Sequence, residues 1–252
     1  MKLFDVYPLY EVTPVKANGV FVYDEKGKKY LDLYGGHAVI SVGHSHPHFI
    51  RKISRQLRRI AFYSNAVQNP LQEQLASSIG EHSCLHDFKL FLCSTGAEAI
   101  ENALKLSSFH TGRKKVIAFK GAFHGRTSAA VAVTDNSTIN APLNSQHDVT
   151  FLPFNDAEAL EKELATKAYC AVIFESIQGV GGLDQPNDSF VIAMDSLCKK
   201  YGTALIADEV QSGFGRTGNI FCLPEVPNYP SHYYYGKRNG EWFPYRWDFN
   251  SS

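Results

Sequence analysis

The sequence predicts an α/β fold built on a mostly parallel sheet with helices on both faces. Tyr169–Phe174 (YCAVIF) and Ala204–Ala207 (ALIA) are short continuous apolar runs, the mark of strands buried on both faces. Helical segments separate them from each other and from two further strand-like runs, Asp87–Cys93 and Val116–Phe119. Each run ends in a turn holding Gly, Asp or Glu, and in such sheets ligands sit beyond the carboxyl ends of the strands.

Composition agrees with a globular protein. The chain has 252 residues, 44% of them hydrophobic, and a formal net charge of zero, unlike a disordered tail or a polyanion binder. No apolar run is long enough to span a bilayer. The N-terminus, MKLFDVYPLYEV, carries acids and a proline where a signal peptide has its apolar core. Cys84, Cys93, Cys170, Cys198 and Cys222 are odd in number with no CxxC pair, as expected of reduced thiols in the cytoplasm.

In chain order, Gly19–Leu33 holds two alternating apolar runs around Asp24-Glu25-Lys26-Gly27, which predicts a β-hairpin. His37, His44, His46 and His48 follow in a Gly- and Pro-containing loop without an accompanying acid or Cys set, so no metal is expected. Phe49–Ile60 is a basic amphipathic helix with Ile50, Ile53, Leu57 and Ile60 on its apolar face. Pro70–Ile79 predicts a further helix. The turn Ser94-Thr95-Gly96-Ala97-Glu98 then opens a helix running to about Ser107. A small, Gly-containing strand-to-helix turn offers backbone N–H groups and the helix dipole to a phosphate.

Beyond Val116–Phe119, the loop Gly121–Thr127 (GAFHGRT) crowds an aromatic, an imidazole and an Arg together. That set suits a flat ring plus a carboxylate, which a guanidinium grips with two parallel hydrogen bonds. Ala157–Thr166 and Phe190–Tyr201 read as helices, and Glu175–Gly182 (ESIQGVGG) as the loop between strand and helix. The last motif, Ala204–Gly218 (ALIADEVQSGFGRTG), ends a buried strand in Asp208.

These strings together resemble the cofactor site of class III (ω-amino-acid) aminotransferases, with the acetylornithine branch nearest. Tyr34–Pro47 resembles the N-terminal segment of that branch. The resemblance implies the type I fold of pyridoxal-phosphate enzymes: an incomplete large domain over residues 61–218 and a small-domain part over 1–60. It implies pyridoxal 5'-phosphate as cofactor, with Thr95, Gly96 and Ala97 at its phosphate. Phe123 and Val210 would take the two faces of the ring, Asp208 the ring nitrogen and Gln211 the phenolic oxygen. Glu175 would join the hydrogen-bond network, His124 would neighbour it, and Arg126 would bind the substrate α-carboxylate.

The implied reaction passes the ω-amine of N-acetylornithine to 2-oxoglutarate in a cytoplasmic homodimer, with no nucleic-acid or membrane partner. N-succinylornithine, ornithine and 4-aminobutyrate are the alternative donors. A non-catalytic module with a partial cofactor site is the reading from another class. Val180 stands where relatives carry a second acid that gates the arginine for the second substrate.

The family's Schiff-base lysine is expected some thirty residues after the Asp, in an A-K-G context following a strand; the cofactor chemistry demands such a lysine. No A-K-G follows Asp208, and Lys237 sits in YYYGKRNGEW, where the sequence predicts no strand before it. Residues 219–252 change character, with two Trp, four Pro and no amphipathic period. Back-translated and moved one base forward, Tyr235–Trp242 is compatible with M-A-K-G-M-G-N-G. The expectation is therefore an out-of-frame tail, an inactive chain and no catalytic residue in frame.

Overall fold

The computed structural model describes residues 1–2, 8–64, 66–83, 85–86 and 88–222, and the backbone of 233–235 and 243–245. The chain divides into two units, Met1–Asn69 and Pro70–Ser252.

In the first unit, β1 (Pro14–Asn18), β2 (Phe21–Asp24) and β3 (Lys29–Leu31) form an antiparallel sheet in that order. The expected hairpin is β2–β3. Its turn is closed by Asp24, whose Oδ1 accepts the N–H groups of Lys26 at 2.9 Å and Lys28 at 2.8 Å. One turn, α1 (Gly35–Ala38), has Gly36 and His37 in the left-handed region. The helix α2 (Pro47–Leu57) follows it. Ile50, Ile53 and Leu57 are exposed on α2. The histidine-rich loop is tied by structure, with His44 Nε2 2.7 Å from Asp32 Oδ2. No metal-ligand cluster occurs among the described residues.

The second unit begins with α3 (Pro70–Ser83), β4 (Lys89–Phe91), α4 (Gly96–Thr111), β5 (Lys115–Phe119) and α5 (Ser128–Ala132). It continues with β6 (Val149–Leu152), α6 (Ala157–Leu164), β7 (Tyr169–Glu175), α7 (Asp188–Tyr201) and β8 (Ala204–Asp208). The strands β9 (Tyr233–Tyr235) and β10 (Phe243–Tyr245) complete it. Helix starts follow the capping rule: Thr95, Asp156 and Asn187 each accept a backbone N–H from the first turn with a side-chain oxygen.

Five strands form one parallel sheet in the order β6-β5-β7-β8-β9. Side chains alternate across it with period two. Ile117, Phe119, Val172, Phe174 and Leu205 pack with Leu160, Phe190 and Met194 of α6 and α7. On the other face, Val116, Ala118, Ala171, Ile173 and Ile206 pack with Ile100, Leu104 and Ala130 of α4 and α5. The chain leaves β5 toward β6 on one side and β7 toward β8 on the other. The carboxyl ends of β5 and β7 are thus the topological switch point, where open α/β sheets bind ligands.

Three expectations need correction. Strand β4 is outside the parallel sheet and pairs antiparallel with β10. The β6 strand was not anticipated, because an edge strand buried mainly at Leu152 carries no continuous apolar signal. A strand does precede Lys237: β9 pairs parallel with β8 through Leu205, Ile206 and Ala207. Tyrosine has high β propensity and needs only one neighbour to pair with. The edge of β8 is therefore paired with β9. Lys237 itself lies outside the described residues, as does Cys84.

Candidate functional site

At the switch point the loops after β5 and β7 are laced together. Glu175, the last residue of β7, accepts the N–H of Phe123 at 2.9 Å through Oε1 and that of Gly179 at 3.1 Å through Oε2. Gln178 donates from Nε2 to the carbonyl of Lys120 at 2.9 Å. Burial pushes the Glu175 carboxyl above its ordinary range, His124 pulls it back and Asp208 adds to the rise. Glu175 and Asp208 are register partners on adjacent strands.

Asp208 caps β8 and meets His124 across the sheet end. Asp208 Oδ2 lies 2.8 Å from His124 Nδ1, with side-chain exposures of 5% and 0% that leave water no access to screen the pair. A carboxylate only accepts, so Nδ1 carries the proton in this contact. The other oxygen, Oδ1, accepts the N–H of Val210 at 3.0 Å. The His124 backbone N–H donates to Thr134 Oγ1 at 2.9 Å, which sets the loop. His124 Nε2 is buried and meets no partner among the described residues.

Val210 also meets the start of α4. A Cβ added to Gly96 would sit 2.9 Å from Val210 Cγ1 and 3.0 Å from Cγ2. Thr95 Oγ1 accepts the Glu98 N–H at 3.0 Å, and Glu98 returns to the Ser94 N–H at 2.8 Å. No acceptor among the described residues meets the N–H groups of Gly96 and Ala97. N–H groups at a helix start, with the helix dipole behind them, can receive an anion, and here they lie beside the Asp208 loop. Gly96→Ala is expected to cost about 1–3 kcal/mol by overpacking. Val210→Ala in the same chain should return most of that, and a double-mutant cycle by urea denaturation measures it.

Of the residues singled out from sequence, Thr95, Gly96, Ala97, His124, Glu175, Asp208 and Val210 thus belong to one connected cluster. Gln211 joins it next to Gly179, whose added Cβ would lie 3.0 Å from the Gln211 amide. Phe123 is half-buried in the same loop, while Arg126 is exposed two residues beyond His124. Val180 is 64% exposed, at the rim and not in the cluster. The sequence gives no role to Gln178, Thr134 and Glu209, which hold the loops through hydrogen bonds; a Gln or Glu inside a Gly-containing turn hints at Gln178 and Glu209, and nothing marks Thr134. A separate cavity of about 500 Å³ between α4, α5 and the starts of β5 and β6 contains none of these residues.

The family described as "Aminotransferase class-III" matches residues 6–247. The chain belongs to that family.

Among its relatives, the acetylornithine aminotransferase of Archaeoglobus fulgidus is 40% identical over 221 residues, covering 87% of this chain and 58% of that protein. This chain thus spans well under two thirds of the relative's length. Among solved structures, the ornithine aminotransferase of Toxoplasma gondii aligns with TM-score 0.88 and 26% identity over 98% of this chain and 61% of that one. The N-acetylornithine aminotransferase of Stenotrophomonas maltophilia aligns with TM-score 0.77 and 27% identity over 95% and 63%. Class III aminotransferases depend on pyridoxal phosphate, and the aminotransferase likeness gives this chain the type I α/β fold.

Proposed function

We propose that this class III aminotransferase chain binds pyridoxal 5'-phosphate at the switch point and derives from an enzyme moving the ω-amine of N-acetylornithine to 2-oxoglutarate. The observation that carries the reading is the buried Asp208–His124 pair beside the N–H groups opening α4, which meet no acceptor among the described residues. The donor set fits the cofactor: an anion seat at Gly96 and Ala97, a carboxylate for a ring nitrogen, and an amide at Gln211. When bound, the cofactor supplies an electron sink that acidifies the substrate C–H. Asp208 would hold the ring nitrogen in its protonated form, since an opposite charge favours the charged form. His124 holds that carboxylate in place, and Phe123 and Val210 would supply the apolar contacts to the ring. Arg126, exposed two residues beyond His124, would take the substrate carboxylate by a two-point grip.

The acetylornithine relatives support the substrate, and the working enzyme is a cytoplasmic homodimer. No helix of the described residues is long and apolar enough to cross a membrane. Residues 209–252 hold no A-K-G segment, and on this reading the chain holds the cofactor site without its Schiff-base lysine, so no turnover is expected. The test is borohydride reduction of the cofactor-loaded chain with peptide mapping, alongside a transamination assay. Saturable binding with no labelled lysine and no glutamate formed is expected, and deletion of one base near the Asn219 codon should restore both. Label on Lys237 of the unaltered chain would overturn the frame-change reading, and absence of saturable binding would overturn the cofactor site.

A further inference from the structure

Glu209 stands between Asp208 and Val210, yet its side chain is committed elsewhere. The residue is 0% exposed. Its Oε1 accepts the Ser176 hydroxyl at 2.7 Å, and its Oε2 accepts the Ser212 hydroxyl at 2.7 Å. The Cys222 N–H donates to both oxygens, at 3.2 and 3.1 Å. These donors come from three separate stretches: the residue after β7, the turn after β8, and the chain where it returns to the sheet.

The surroundings make the contact specific. The Gly213 N–H donates to the Glu209 carbonyl at 2.9 Å, and a Cβ at Gly213 would lie only 2.9 Å from that oxygen. Phe221, next to Cys222, is 1% exposed and meets Phe214 edge-on with ring centroids 5.9 Å apart. The returning chain is thus anchored by its own apolar side chain as well as by the carboxylate. No cation among the described residues pairs with Glu209. Burial pushes its carboxyl upward, against the pull of Ser212, Ser176 and Cys222. A turn that needed only shape could be filled by an apolar side chain, whereas a buried carboxylate is costly unless its geometry serves a purpose.

We propose that Glu209 is a positioning residue: it clamps the ends of β7 and β8 to the returning chain, so that Asp208, Val210 and Gln211 keep their places around the cofactor. This rests on the cofactor reading above. Asp208 and Val210 flank the clamp directly, and Gln211 lies between it and Ser212, so release of the carboxylate frees the whole turn.

The test uses the full chain as Glu209→Ala and Glu209→Gln, read by amide hydrogen exchange and by equilibrium dialysis of pyridoxal 5'-phosphate. The alanine variant should speed exchange at the Val210 and Cys222 amides and weaken cofactor binding, each by about tenfold or more, a change of about 1.4 kcal/mol. Exchange in α4 and α7 should stay as it was. The glutamine variant, which keeps an acceptor for one serine and the size of the side chain, should recover most of both. Unchanged exchange at Val210 in the alanine variant overturns the clamp. Faster exchange with unaltered cofactor affinity overturns the positioning role. Should the alanine variant fail to fold, Ser176→Ala with Ser212→Ala removes two donors, and the same readings apply. A wild-type chain that binds no cofactor defeats the proposed function instead, and the exchange rates then decide the clamp.

Discussion

Asp208→Ala is expected to be the most damaging single substitution at the strand ends. It removes the partner of His124 Nδ1 at 2.8 Å and the acceptor of the Val210 N–H at 3.0 Å. His124 would then be buried with neither ring nitrogen bonded to a side chain, since Nε2 already has no partner among the described residues. Leaving the His124 and Val210 donors without their acceptor costs about 1–3 kcal/mol each, and a domain of ordinary stability has only about 5–15 kcal/mol in total. Urea denaturation should show a large drop in midpoint. Asp208→Asn is the informative companion. Its amide oxygen can still accept from Nδ1, so stability should fall less, while the charge that we propose for the ring nitrogen is gone. Cofactor affinity, measured by dialysis, should therefore fall in both variants, and stability mainly in the first. An alanine variant as stable as the wild type would show that the pair contributes nothing to the fold.

Gly125→Ala should come next in effect. Gly125 has φ +138, a backbone conformation that side chains resist. An added Cβ would also lie 2.9 Å from the Ala97 Cβ and 3.0 Å from the Ala130 Cβ, between the first turn of α4 and α5. Strain of about 1–3 kcal/mol adds to overpacking of similar size. Because Ala97 belongs to the proposed anion seat, relief by shifting α4 would move the N–H groups as well. Stability and affinity for inorganic phosphate should drop together, and Ala97→Gly in the same chain should return part of each. A fall in stability with phosphate affinity intact would mean that α5 gives way instead of α4.

The parts of this fold that the sequence announces are those where one residue's environment is decided by its neighbours in the chain. Tyr169–Phe174 and Ala204–Ala207 read as buried strands because helices cover both faces, so every position is apolar. The turn at Thr95 and the entry to Ala157 read as helix starts because capping is local, whereas the helix expected from Phe190 begins at Asp188, capped by Asn187. Pairing across long stretches was not legible. Nothing in Lys89–Phe91 says that its partner is Phe243–Tyr245, and nothing in three tyrosines says that they lie beside Leu205. At the site, Asp208 stands out because it ends an apolar run. Glu209 looks like one more turn residue, since its bonds to Ser176 and Cys222 exist only once three distant segments have met.

The all-parallel order β6-β5-β7-β8-β9 also sets how the sheet can come into being. Parallel neighbours cannot be joined by a tight hairpin, so each strand must wait for an intervening crossover before it finds its place. Between β5 and its central partner β7, the chain must first produce α5, β6 and α6. Such distant pairings form slowly, and the incomplete sheet exposes strand edges in the meantime. During synthesis β5 therefore emerges before either of its neighbours, and both of its edges stay unpaired in that interval.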